Sequence, residues 1–150
     1  MTEVYLQKIK MAPTIQIDKE LLAWKEKKIL NFLQTTSGNG TAMISLIIPS
    51  GGKIEKASQM LTLEYSTASK IKSKINRQSV LEAITSAQYK LKLYSKVPPN
   101  GLALYCGRGV TTDNKEERIS IAFEPSKRIT IAMYMCDKKF HIEALSNQLV

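Results

Sequence analysis

One histidine, one tryptophan and two cysteines in 150 residues leave little room for metal or covalent chemistry. Cys106 and Cys136 stand thirty positions apart, and with a lone histidine they cannot complete an ordinary four-ligand zinc site. Two thiols make no disulfide framework either, so a reducing compartment is the expectation, with no metal and no cofactor. No apolar run approaches the roughly 20 residues that a bilayer-spanning helix requires. The opening MTEVYLQKIKMAPTIQ lacks the continuous apolar stretch of a secretory signal, so Asn39-Gly40-Thr41 reads as a loop and not as a glycosylation site. These shortages point to a cytoplasmic protein that touches no membrane. Internal repeats and low-complexity tracts are absent too.

Acid is missing from one stretch in particular. Residues 66–96 hold seven cations (Lys70, Lys72, Lys74, Arg77, Lys90, Lys92 and Lys96) against Glu82 alone, which is +6 of the chain's net +9. The flanking regions are nearly balanced, with 8 basic to 6 acidic residues before this stretch and 7 to 6 after it. Charge segregated in this way is the footprint of a surface that meets phosphate. The whole chain, at 43% hydrophobic and 23% charged, has the composition of a globular domain with a proper core.

Residues 1–16 read as a flexible extension and 17–150 as one domain. Asp18 is a candidate N-cap for a helix to about Gln34, with Leu21, Leu22, Ile29, Leu30 and Leu33 as its apolar face. Ser37-Gly-Asn-Gly40 breaks it, and Met43–Ile48 is a buried strand ended by Pro-Ser-Gly-Gly. A second helix is expected from Lys53 to about Tyr65, burying Ile54, Met60 and Leu61. A third follows from Val80, Ile84, Ala87, Leu91 and Tyr94, spaced four, three, four and three. Together they predict an αα-hairpin whose tip falls at Thr67–Lys72. Leu102–Cys106, Arg118–Phe123 and Ile129–Met135 are strand-like, with a turn at Thr112–Lys115, and a short helix closes the chain near Ile142–Gln148. Helices and strands in separate blocks predict an α+β domain, a mostly antiparallel sheet of about four strands packed with helices.

Four segments resemble one known family in that family's own order: Gly38-Asn-Gly-Thr-Ala-Met-Ile-Ser-Leu-Ile-Ile-Pro49, Thr67-Ala-Ser-Lys-Ile-Lys-Ser73, Val97-Pro-Pro-Asn-Gly-Leu102 and Tyr134-Met-Cys-Asp-Lys-Lys-Phe140. The family is the N-terminal domain of the class 1 translation termination factors of eukaryotic and archaeal type, and the likeness runs from about Asp18 to the C-terminus. It implies stop-codon recognition in the ribosomal A site, with the messenger stop codon and small-subunit ribosomal RNA as partners. A translational GTPase would be met through the full-length protein, and the domain itself would be a monomer. The resemblance also implies that hydrolysis of peptidyl-tRNA belongs to a separate Gly-Gly-Gln domain. This chain has no Gly-Gly-Gln, so it is expected to decode and not to catalyse. Gly51-Gly52 is followed by Lys53 and reads as a flexible strand-to-helix turn.

The resemblance places the family's Asn-Ile-Lys-Ser signature on Lys70-Ile71-Lys72-Ser73, its Gly-Thr-Ser element on Gly40-Thr41-Ala42, and its Tyr-x-Cys-x-x-x-Phe element on Tyr134, Cys136 and Phe140. A codon-reading glutamate falls on Glu64, and a hydroxylation site on Lys72. The candidate RNA-binding set is therefore Gly40, Thr41 and Ala42; Glu64, Thr67, Ser69, Lys70, Ile71, Lys72, Ser73 and Arg77; and Tyr134, Cys136, Asp137, Lys138 and Phe140.

The residue types suit that task. Unpaired RNA bases are read by hydrogen bonds to their edges and by stacking. Lys72 is a compact three-donor cation for uridine carbonyls, and Glu64 an acceptor-only group for the exocyclic amine of adenine. Thr41 can donate or accept, and Tyr134 offers a ring and a hydroxyl. If the strand holds, Tyr134, Cys136 and Lys138 point the same way. Each has a plainer reading: surface lysine, helix-surface glutamate, self-satisfied loop threonine, core tyrosine. Phe140 is most simply a packing residue. A hydrolase built on Cys136 and His141 is disfavoured, because no acid is placed in sequence to orient the histidine. A general RNA-binding or ribosome-rescue domain is the competing reading, one that needs charge without codon selection. Two departures, Lys70 for the family's asparagine and Ala42 for its serine, raise the expectation of a codon preference unlike the usual three-stop pattern.

Overall fold

The computed structural model describes residues 19–149. The proposed Asp18 cap and the extension over residues 1–16 lie outside them. Among the described residues eight elements follow one another: α1 (Lys19–Thr35), β1 (Met43–Pro49), α2 (Ile54–Ala68), α3 (Lys74–Leu91), β2 (Gly101–Val110), β3 (Glu116–Phe123), β4 (Met133–Asp137) and α4 (Glu143–Leu149). The four strands form one antiparallel sheet in the order β3-β2-β1-β4. The α+β expectation and the helical hairpin both match this architecture.

Alternation along the strands divides the molecule into two cores. Met43, Ile47, Ala103, Tyr105, Ile119, Ile121 and Phe123 face one side, where Ile29 and Leu33 of α1 and Leu145 of α4 cover them. Ile44, Leu46, Ile48, Leu102, Leu104, Cys106 and Ala122 face the other, against Ala57, Leu61, Ala68, Ile84, Ala87 and Leu91 of the α2–α3 hairpin. With both faces covered, a central strand is expected to be apolar on both sides, which explains the nearly continuous apolar run in β1. The exception is Ser45, fully buried, whose Oγ accepts from the His141 N–H at 2.8 Å.

Gly51, at φ +80°, lets the chain reverse after Pro49, and the Gly52 N–H donates to the Pro49 carbonyl at 2.9 Å. The β2–β3 hairpin turns through Asn114, at φ 59°.

One expected strand is displaced. Ile129–Met135 is the sequence-based range, yet β4 begins at Met133 and runs to Asp137. Ile129 is buried, but its N–H donates to the Asn100 carbonyl and its own carbonyl accepts from Ser50 N–H, so neither group is available to the ladder. Two smaller shifts belong with it. α3 ends at Leu91 and Tyr94 lies beyond it, though Tyr94 still packs on the hairpin core. The basic stretch is not one patch: Lys70, Lys72 and Lys74 sit at the hairpin tip, while Lys92 and Lys96 follow the far end of α3. Lys74 opens the eighteen-residue helix and Lys92 follows its last residue, a rise of about 27 Å between them.

Candidate nucleic-acid interface

Three pieces of chain meet at one end of the sheet. The Ser37–Ala42 loop enters β1, the first turns of α3 descend from the hairpin tip, and the end of edge strand β4 lies alongside. They enclose an open cleft of about 340 Å³ lined by Gly40, Thr41 and Ala42, by Ile71, Asn76, Ser79 and Val80, and by Cys136, Asp137 and Lys138.

The loop is tied on both sides. Ser37 bridges to Val110 of β2, with bonds of 3.1 and 2.7 Å in the two directions, and to Lys139 beyond β4. Gly38 lies against the Lys138 carbonyl and Met43 Sδ, where a side chain has no room. The Ala42 N–H donates to Ser79 Oγ at 2.8 Å, joining loop to hairpin. Thr41 Oγ1 donates to the Arg108 carbonyl at 2.5 Å. That bond occupies the hydroxyl's only proton, so Thr41 offers lone pairs alone to anything in the cleft. Arg108 is fixed in turn: its Nε bonds Glu82 Oε1 at 2.9 Å, and Arg118 Nη2 reaches the same oxygen at 3.3 Å. Glu82, the one acid of the basic stretch, is thus already engaged by two arginines.

The tip is a tightly bonded turn. Ser69 Oγ donates to the Tyr65 carbonyl at 2.9 Å, and Lys70 and Ile71 N–H groups donate to Thr67 and Ala68 carbonyls, each at 3.1 Å. Ser73 caps α3, its Oγ accepting from Asn76 N–H at 3.3 Å. Arg77 Nη1 donates to the Ile71 carbonyl at 3.1 Å, so its guanidinium braces the turn. Lys70 and Lys72 are exposed above it, as is Thr67.

Glu64, half-buried on α2, faces β4. Tyr134 is held above the ordinary phenol range, first by burial, then by the Cys136 and Glu64 charges. Burial likewise raises the Cys136 thiol, with Glu64 and Asp137 adding to the shift. Tyr134 and Cys136 therefore share the hairpin side of β4 with Glu64, and Lys138 continues into the cleft. Phe140 does not join them. It is buried on the opposite side of the sheet, edge-on to Tyr105 at 5.5 Å between ring centroids.

His141 departs from its sequence-based expectation. An acid does orient the histidine: Asp137 Oδ2 lies 2.8 Å from His141 Nε2. That bond is the main cause holding Asp137 below the usual carboxylate range, with the Lys138 N–H second. The pairing spans four residues just past the end of a strand, where no helical spacing announces it. It does not make a nucleophile of Cys136, because a raised thiol is a protonated one.

Sequence reasoning passes over Asn76 and Ser79 and reads Val80 only as a core position of the third helix. They follow the tip at helical spacing on the face continued by Ala83, a stripe that periodicity alone could have supplied. Arg108 and Glu82 come together from separate elements and have no local signal. Among the described residues, no group of three or more His, Cys, Asp or Glu is placed to hold a metal, and no helix is long and apolar enough to cross a membrane.

Comparison with known proteins gives a consistent picture. The family model described as eRF1 domain 1 matches residues 21–150. Eukaryotic peptide chain release factor subunit 1 of Podospora anserina is 54% identical over 134 residues, covering 89% of this chain and 31% of that protein. Subunit 1-3 of Arabidopsis thaliana is 56% identical over 132 residues, covering 88% of this chain and 30% of its own length. The crystal structure of an archaeal translation termination factor, aRF1, superposes with a TM-score of 0.72 at 32% identity, covering 89% of this chain and 35% of that one. The chain thus spans about a third of the length of the relatives it matches.

Proposed function

Because the chain belongs to the eRF1 domain 1 family, we propose that it recognises messenger stop codons in the ribosomal A site, in the cytoplasm. The observation that supports this most directly is the convergence of Thr41, Ile71, Cys136, Asp137 and Lys138 on one open cleft beside Glu64 and Tyr134. A cationic tip bearing Lys70 and Lys72 holds the phosphates and the first-position uridine, with Lys72 as the residue open to hydroxylation. Glu64 and the lone pairs of Thr41 accept from purine amines. A guanine brings its O6 carbonyl against those acceptors, and an unpaired buried polar group costs on the order of 1–3 kcal/mol. Selectivity thus rests on mismatched hydrogen-bonding groups, while charge supplies affinity that is indifferent to sequence. Small-subunit ribosomal RNA supplies the rest of the geometry, and a translational GTPase is met through the remainder of the full-length factor, where peptidyl-tRNA hydrolysis resides.

Lys70 and Ala42 bear on which terminators are read. Lys70 presents donors only, so it cannot accept from a uridine N3–H, and Ala42 brings no hydroxyl beside Thr41. We expect a codon preference that departs from equal use of UAA, UAG and UGA. The test places the full-length factor on ribosomes programmed with 4-thiouridine-labelled stop or sense codons and measures both crosslinking and peptide release. Crosslinking that ignores the difference between stop and sense codons defeats the decoding proposal. Equal release on all three terminators rejects narrowed specificity.

A further inference from the structure

On the side of the sheet away from the cleft, α1, α4 and the chain following β3 enclose an open groove of about 750 Å³. Trp24, the chain's single tryptophan, lines it with half its surface exposed (50%). Lys28 Nζ stands 4.0 Å from the ring centroid. Lys27 and Lys127 also line the groove, as do the amides of Asn31 and Gln34. The acid in the lining, Glu26, is buried, and its two oxygens accept from Ser126 N–H and Ser126 Oγ–H, each at 2.6 Å. What faces outward is a flat ring, three ammonium groups and two amides, with the lining's carboxylate already bonded.

We propose that this groove is a second RNA-binding surface, taking single-stranded RNA with a base against Trp24 and backbone phosphates at Lys27, Lys28 and Lys127. Single-strand binding needs two things together, an aromatic platform and a basic track beside it, and both are present within one concavity. Lys28 covers one face of the indole and so keeps a cation beside a base stacked on the other, while the amides serve base edges without demanding one sequence. An acidic peptide would use the lysines but would leave the exposed ring face and the amides without matched partners, which is why RNA is favoured. The groove lies across the sheet from Lys72, so the proposal does not rest on the decoding reading.

Trp24 reports on its own site. The chain of residues 1–150 is titrated with a twelve-residue oligouridine while tryptophan emission is followed at several salt concentrations. Saturable quenching is expected, with the dissociation constant raised at least tenfold in a Lys27→Glu/Lys127→Glu variant. The log–log salt slope should fall by about 1.4 in that variant, about 0.7 for each phosphate of a single strand that is no longer neutralised. Lys115→Ala, an exposed cation in the β2–β3 turn, should leave the titration unchanged. No quenching, quenching indifferent to the double substitution, or equal weakening by Lys115→Ala overturns the proposal. So does equal quenching by oligoglutamate. A shift of Trp24 emission on deleting residues 1–16, with no RNA present, also overturns it by assigning the groove to the chain's own N-terminal segment. Far-UV circular dichroism checks folding, and Lys27→Gln/Lys127→Gln replaces the double variant if charge reversal unfolds it. Loss of stop selectivity on the ribosome leaves this titration intact, so the two proposals fail separately.

Discussion

Gly38→Ala is the sharpest probe of how the cleft is held together. A methyl group at this position falls inside the van der Waals sphere of the Lys138 carbonyl oxygen and 2.9 Å from Met43 Sδ. The thioether can swing aside, but the carbonyl belongs to backbone, anchored one residue on by the Ser37–Lys139 bridge. Either the loop or the end of β4 must move. Overpacking of this kind costs about 1–3 kcal/mol, and the upper half of that range is expected because backbone has to yield. With a urea slope of about 2 kcal/mol per molar for a domain of this size, the unfolding midpoint should fall by about 1 M. Gly40→Ala is the internal control. Gly40 has φ +74° and nothing near its missing side chain, so alanine there meets only left-handed backbone strain, about 1 kcal/mol. Urea melts of both variants, followed by circular dichroism, make the comparison, and iodoacetamide labelling of Cys136 reports on the displaced strand end. The labelling rate should change in Gly38→Ala alone. A Gly38→Ala midpoint equal to that of the parent, or a larger loss in Gly40→Ala, refutes this account of the loop packing.

Two further outcomes follow from the same geometry. Ser45→Ala leaves the His141 N–H without its partner on the buried side of β1, and urea titration should show a loss of about 1–3 kcal/mol; an unaltered midpoint would mean that the group finds another acceptor. The Cys136 thiol is raised, so less of it is thiolate at any pH below its midpoint, and iodoacetamide at pH 8.5 should react more slowly than with a free model thiol while buried Cys106 stays silent. Glu64→Gln removes a neighbouring negative charge, lowers the thiol's midpoint and should speed that labelling; no change in rate would separate Glu64 from Cys136.

The sequence announces the layers better than the site. Core positions of the hairpin are legible because helical spacing and burial coincide at Leu61, Ile84, Ala87 and Leu91. The fourth strand is misjudged because Ile129 satisfies the same apolar pattern whether it pairs in a ladder or plugs a loop. Its backbone bonds to Asn100 and Ser50, which decide the matter, leave no trace in residue type. The same limit applies to Thr41, whose hydroxyl could both donate and accept on paper. A carbonyl 67 positions further along the chain removes one of those options. Cys136 shows the converse: strand parity with Tyr134 is readable, and both fall on the side facing Glu64. Asp137 with His141 shows what fails, since a pairing made by a chain turning off a strand end has no periodicity to betray it.

The sheet is also a partition. Odd-numbered positions of β1 and β2 pack with one pair of helices and even-numbered positions with the other, so the two hydrophobic layers share backbone and almost nothing else. A designer who wishes to transplant a different hairpin therefore has to match Ile44, Leu46, Ile48, Leu102, Leu104, Cys106, Ala122 and Tyr134. The layer around Tyr105 and Leu33 would keep its packing through the exchange. Substitution obeys the same rule: the hairpin and the cleft beside it can be revised on one flank while the other continues to hold the molecule folded.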